Sequence, residues 1–217
     1  MTTRDPPASG KRPRRRRWLR RIVAVAAIAV VVAAGVSYAL IKARVWRAPY
    51  PPLGKDLCWV IGCREEAYNF DVVVPGRVYR SSRPDERFFR YVHRKYGIRR
   101  VVMLNAADAN RLDSPPDELG IERHFFRWFA EVVPPRDELR RVMEILDSNE
   151  PVLVHCWAGA DRTGYAVAAY RILRQGWQPE QAFAEMNRYW HFPRRKPALQ
   201  ADLRKLAEPN SLNHQGH

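Results

Sequence analysis

Hydrophobic and polar positions divide the chain into regions with different rhythms. From Ile22 to Ile41 the stretch IVAVAAIAVVVAAGVSYALI runs 20 residues with neither a charge nor a polar face. At about 1.5 Å of rise per residue it spans the roughly 30 Å hydrocarbon core of a bilayer, so it reads as a membrane-spanning helix. A cleaved signal peptide is the competing reading. Signal apolar regions usually run only about 7–15 residues, however, and Ser37-Tyr38-Ala39 makes a poor cleavage site. Residues 1–21 read as a disordered basic tail, and residues 42–70, with prolines at 49, 51 and 52, as a juxtamembrane linker.

Beyond residue 70 short apolar runs alternate with helical periodicity. RVYRSS follows the Pro75-Gly76 turn as a strand, and PDERFFRYVHRKYG reads as a helix with Pro84 at its first position and Gly97 at its end. IRRVVMLN is a second strand, residues 106–120 a loop, and IERHFFRWF a third strand. The apolar positions 139, 142, 143, 145 and 146 mark an amphipathic helix before the buried strand PVLVH. GYAVAAYRILRQG, PEQAFAEMNRYW and PALQADLRKLA complete the set as helices. Such alternation predicts an α/β domain over residues 71–208, with a central, mainly parallel sheet flanked by helices, and a tail at 209–217.

The net charge of +15 suggests a nucleic-acid partner until it is located. Residues 1–47 hold twelve Lys/Arg against the single acid Asp5, which leaves only +4 for the other 170 residues. The excess flanks the apolar span, and no nucleic-acid partner is expected. Nine basic residues precede the span and three closely follow it, which puts the N-terminus in the cytoplasm and the domain across the membrane. Cys58 and Cys63, in CWVIGC, suit a disulfide in an oxidising compartment, or equally two reduced buried thiols. Zinc is disfavoured because no second pair of ligands lies nearby.

The third cysteine stands in VHCWAGADRTG, between the strand PVLVH and the following helix. A loop at the C-terminal end of a buried strand and the N-terminus of a helix offers free N–H groups and a favourable dipole to an anion. The same groups push a thiol at Cys156 toward its thiolate. Gly159 lets the backbone turn inward, and the planar fork of Arg162 can grip two phosphate oxygens. A nucleophilic thiolate and a bidentate arginine around one anion cradle point to phosphoryl transfer through a phosphocysteine. His155 supports the loop, Thr163 can hydrogen-bond the departing sulfur, and the chemistry needs no metal or other cofactor.

With those residues in place, HCWAGADRTG matches the His-Cys-x5-Arg-Ser/Thr signature, and the chain resembles the cysteine-dependent protein tyrosine phosphatase superfamily. Over roughly residues 72–192, VYRSSRPDE, PVLVHC and GWQPEQAFAEM resemble its bacterial tyrosine and dual-specificity branch. The resemblance implies Cys156 as nucleophile and Arg162 as phosphate clamp. It makes the amides of Trp157, Ala158, Gly159, Ala160, Asp161 and Arg162 the phosphate cradle.

The general acid is less direct. Many members of that superfamily supply an aspartate from a separate loop before the cysteine. Here the region reads HFFRWFAEVVPPRD and has none at the expected place, leaving Glu131 and Asp137 as nearby carboxylates. Some bacterial tyrosine and lipid phosphatases resemble this chain in carrying Asp directly before the loop arginine, which assigns the acid to Asp161. The plain alternative makes Asp161 a partner of a neighbouring basic side chain.

Trp157, Ala158 and Ala160 bring no lysine into the loop, which favours a phosphorylated protein over a multiply phosphorylated headgroup. Arg194, Arg195 and Lys196 are either rim cations or a solvated basic turn. Of Trp128, Trp157 and Trp190, two are expected in the core, with Trp157 the candidate to face a phosphotyrosine ring. The expected function is phosphomonoester hydrolysis of the tyrosine or dual-specificity type. A phospholipid or phosphoinositide phosphatase at the membrane surface is the alternative. A rhodanese-like sulfurtransferase is disfavoured by the Arg162-Thr163-Gly164 continuation, and a catalytically silent phosphate-binding module by the intact Cys156, Asp161 and Arg162.

Overall fold

Five short strands form one sheet: β1 (Asp71–Val74), β2 (Val78–Ser81), β3 (Arg100–Met103), β4 (Glu122–Phe125) and β5 (Val152–His155). Their order is β1-β2-β5-β3-β4, with every pair parallel except the β1–β2 hairpin. The chain is seen in a computed structural model that describes residues 13–43, 52–105, 114–191 and 197–208. The apolar run PVLVH thus becomes the central strand, buried on both faces, as parallel strands require. The mainly parallel α/β architecture is the one the alternating pattern predicts. The antiparallel edge strand β1 is an addition, formed where the Pro75-Gly76 turn folds DVVV back onto β2.

Alternation along the strands sorts side chains to two cores. Val78, Val102, Val152 and Val154 face one layer, made by α5 (Arg136–Leu146), α6 (Asp161–Gln175), α7 (Pro179–Arg188) and α8 (Pro197–Leu206). Tyr79, Val101, Met103 and Leu153 face the other, made by α2 (Pro52–Ile61), α3 (Arg64–Ala67) and α4 (Glu86–Tyr96). Each fully buried valine or leucine contributes about 1.5–3 kcal/mol relative to exposure. The helix α6 lies deepest, with nine of its fifteen residues buried, and its first turn is thereby fixed against the sheet.

Three boundaries differ from the sequence reading. Asp85, not Pro84, starts α4: its carboxylate accepts the Phe88 N–H at 2.9 Å and satisfies an otherwise orphaned helix-start amide. Of the segment 42–70 read as a linker, residues 44–51 lie outside the described residues, whereas 52–70 form α2 and α3 and pack on the domain. Cys58 and Cys63 are joined by a disulfide with Cα atoms 4.6 Å apart, and with Ala67, Tyr68 and Phe70 they are buried in the second core. Tyr68 stacks on Phe88 at 4.0 Å, so aromatic packing holds this segment down. Finally, α1 runs from Pro13 to Lys42, so residues 13–21 of the basic tail are helical, as a run rich in arginine permits. Within it Trp18–Leu40 is long and apolar enough to cross a membrane, and none of it is buried in the protein. Its last residue, Lys42, pairs with Glu66 of α3.

Candidate active site

The strand β5 ends at His155, Cys156 follows, and α6 begins at Asp161, so the predicted anion loop is residues 156–160. Cys156 is a buried free thiol. The loop turns at Gly159, which has φ of +67° and lies against the β2 terminus. A Cβ there would sit 2.7 Å from the backbone of Ser81 and Ser82. Only glycine fits this position, in both conformation and space.

The loop carbonyls are tied from behind. Arg83 N–H donates to the Trp157 carbonyl at 3.0 Å, Asn69 Nδ2 to that of Ala158 at 3.1 Å, and Arg80 Nη2 to that of Gly159 at 2.6 Å. In a trans peptide the N–H points opposite to the C=O. Fixing those three carbonyls therefore turns the amides of Ala158, Gly159 and Ala160 away from the scaffold at the helix start, an arrangement that suits an anion. Arg80 is fully buried, with its guanidinium 3.6 Å from the Tyr189 ring. Asn69 itself adopts φ of +48°, a conformation that asparagine tolerates better than most residues.

Arg162, half-buried in the first turn of α6, donates from Nη1 to the Trp128 carbonyl at 3.3 Å, which braces its fork beside the loop. His155 is buried under Phe89, with ring centroids 6.2 Å apart, and burial pushes its pKa down to about 3. It therefore stays neutral and supports the loop as a packed, uncharged ring. Thr163 is fully buried behind Cys156 in sequence and on the first turn of α6. Trp157 is 48% exposed, and the Arg83 guanidinium lies 4.8 Å from its ring. Trp128 is buried, its indole N–H on Glu138 at 2.7 Å, so it belongs to the core.

Among the carboxylates, Asp161 is half-buried at the start of α6, with Oδ1 2.7 Å from His191 Nδ1. Asp137 is exposed in the opening turn of α5, where the helix dipole favours a carboxylate, and Glu131 is exposed in the preceding loop. Arg194, Arg195 and Lys196 lie outside the described residues. A cleft of about 670 Å³, lined by Asp85, Glu86, Pro115, Asp117, Glu118 and Arg123, shares no residue with the loop.

Asn69, Arg80, Arg83 and His191 escaped the sequence reading. Arg80 alone left a signal, a charge inside the short run VYRSS.

The model of the tyrosine phosphatase family matches residues 66–201. The inositol diphosphatase SIW14 of Saccharomyces cerevisiae is 29% identical over 133 residues, which cover 56% of this chain and 45% of that protein. The dual specificity protein phosphatase TpbA of Pseudomonas aeruginosa is 44% identical over 48 residues, 22% of either protein. The chain thus spans less than half the length of these curated relatives. Among solved structures, the SIW14 catalytic core superposes with a TM-score of 0.54 at 26% identity, covering 67% of this chain and 88% of that one. PTPMT1 in complex with PI(5)P shares the fold, with a TM-score of 0.52 at 19% identity over 64% of this chain and 94% of that one. With the family model reaching from α3 to α8, across the sheet and the Cys156 loop, the chain belongs to the tyrosine phosphatase family.

Proposed function

We propose that the protein hydrolyses phosphate monoesters through a phosphocysteine on Cys156, as a phosphatase of the tyrosine or dual-specificity type. The observation that supports the reading is the tied-back loop after β5, which begins at the free thiol Cys156, has three carbonyls held by Arg83, Asn69 and Arg80, and leads into Arg162 at the start of α6. In the first step the Cys156 sulfur attacks phosphorus, the P–O ester bond breaks, and Asp161 protonates the leaving oxygen. In the second, water attacks phosphorus, the S–P bond breaks, and Asp161 takes the water's proton back. The nest and Arg162 hold the equatorial oxygens in both steps, where charge develops. Thr163 stabilises the departing sulfur.

Similarity to the dual specificity phosphatase TpbA and the absence of lysine at 157, 158 and 160 support a phosphoprotein substrate. A phospholipid substrate is the second reading, favoured by the apolar helix α1 and by the likeness to PTPMT1 bound to PI(5)P. In either case α1 serves as a single-pass anchor with its basic end in the cytoplasm and the disulfide-bonded domain outside. The test is turnover of p-nitrophenyl phosphate by the full chain in nanodiscs with chelator present, inhibited by vanadate. Acid quenching is expected to trap a phosphate on Cys156, and Cys156→Ser to abolish turnover. Retained turnover in that variant refutes the mechanism. Phosphotyrosine peptides and phosphoinositide vesicles, compared by kcat/KM, separate the two substrate classes.

A further inference from the structure

At the end of α7 the chain adopts an unusual conformation. Trp190 takes φ of +69°, a left-handed setting that few residues with a bulky side chain adopt. The reversal is tied by Trp190 N–H on the Asn187 carbonyl at 3.1 Å and His191 N–H on that of Met186 at 3.3 Å. It inserts the His191 side chain, with no exposed surface, against Asp161. Nδ1 and Oδ1 share a hydrogen bond of 2.7 Å across thirty residues of sequence. An imidazole stripped of water and given to one carboxylate is a polar contact that packing alone does not call for.

The same corner supports the loop at its other end. Tyr189 places its ring on the Arg80 guanidinium, and Arg80 in turn holds the Gly159 carbonyl. The Tyr189 carbonyl accepts from Asn69 at 3.5 Å, and its hydroxyl donates to Asp71 at 2.5 Å. Residues 189–191 therefore back the loop twice, at Gly159 through Arg80 and at Asp161 directly. The first contact shapes the phosphate nest. The second touches the residue that the proposed function makes the proton donor.

We propose that His191 is a positioning residue for the general acid, holding the Asp161 carboxyl at the start of α6 by donating Nδ1–H to its Oδ1. Before chemistry the Asp161 carboxyl carries its proton on Oδ2, while Oδ1 accepts the Nδ1–H of a neutral His191. As the P–O bond breaks, Asp161 passes the Oδ2 proton to the leaving oxygen, and the carboxylate that remains keeps the Nδ1–H hydrogen bond. When water attacks the phosphocysteine, its proton returns to Asp161 and the pair is reset. This inference rests on Asp161 as the acid.

A leaving-group comparison tests it in the full chain. Phenyl phosphate needs protonation of a poor leaving group, and p-nitrophenyl phosphate needs little. For Asp161→Asn, kcat/KM is expected to fall at least about 100-fold with phenyl phosphate and far less with p-nitrophenyl phosphate. Equal losses would remove Asp161 from the acid role, and the inference with it. Given that result, His191→Phe is expected to lose about 10- to 100-fold with phenyl phosphate, the worth of one hydrogen bond to a charged group. With p-nitrophenyl phosphate its loss is expected to be a few-fold at most. His191→Asn, which keeps a donor near the position of Nδ1, is expected to recover much of the phenyl phosphate rate. In the Asp161→Asn background, His191→Phe is expected to add almost nothing. A purely structural His191 would give equal losses with both substrates, no rescue by Asn, and additive effects, and that outcome overturns the proposal. Melting curves and vanadate affinity confirm that each variant is folded, and His191→Asn keeps the test open if His191→Phe is not.

Discussion

Gly159→Ala separates conformational strain from close approach, because the structure offers an internal control. Gly76 has φ of +74° in the β1–β2 turn, and an added Cβ there meets nothing within 4 Å. Gly76→Ala is therefore charged only the left-handed backbone penalty of about 1–2 kcal/mol. At Gly159 the penalty is the same in kind, but the Cβ also falls 2.7 Å from three backbone atoms of Ser81 and Ser82. Backbone at the end of β2 cannot swing aside as a flexible side chain would, so about 1–3 kcal/mol of overpacking is added. The sum is about 2–5 kcal/mol, a large share of the roughly 5–15 kcal/mol that holds a domain together. At about 2–4 °C per kcal/mol, Gly76→Ala should lower the melting temperature by about 2–8 °C and Gly159→Ala by about 4–20 °C. The loop can relieve the clash only by moving off β2, and a displacement near 1 Å costs about 100-fold in rate. Scanning calorimetry and kcat/KM for p-nitrophenyl phosphate, measured on both variants, are the assays. If Gly159→Ala behaves like Gly76→Ala in both, the contact with β2 does not position the loop.

Three further outcomes follow from the same contacts. Burial holds the His155 pKa at about 3, below its unfolded value near 6.5, so the unfolded chain binds the extra proton between those limits. Its contribution to stability is full above about pH 6.5 and is lost at up to about 1.4 kcal/mol per unit as pH falls toward 3, which a His155→Gln comparison by denaturant titration will show as a shallower acid limb. Arg80→Met removes the short donor to the Gly159 carbonyl and leaves it only the longer Asn69 Nδ2 contact at 3.4 Å, so about 1–3 kcal/mol of stability and part of the vanadate affinity should go together. Replacing Cys58 and Cys63 by alanine opens a short loop and should cost about 2 kcal/mol by melting, with kcat on p-nitrophenyl phosphate retained.

What could be read in advance followed from locality. Strand β5 announced itself as PVLVH because burial on both faces leaves a continuous apolar run, and α6 because its glycine and arginine flank such a strand. Cys156, Gly159 and Arg162 fall within seven consecutive residues, so their relation is visible in one line of sequence. Asn69, Arg80 and His191 reach the loop across 89, 79 and 30 residues respectively, and nothing in the local pattern encodes that meeting. Residues 58–70 pack for a similar reason. The prolines at 49, 51 and 52 make 42–70 look like a linker, and only the distant partner Phe88 and the closed disulfide give Tyr68 and its neighbours a place in the core.

The ion pair between Lys42 and Glu66 also has a mechanical meaning. Glu66 lies three residues before Asn69, whose side chain holds the Cys156 loop at the Ala158 carbonyl. In the anchored form proposed above, this contact ties the scaffold of the pocket to the end of α1 and narrows the range over which the pocket can swing. A soluble phosphoester finds such a pocket at any angle of arrival. One carried by a membrane neighbour must present its phosphate within that narrowed range, so the length of its own stalk would bear on whether it is reached.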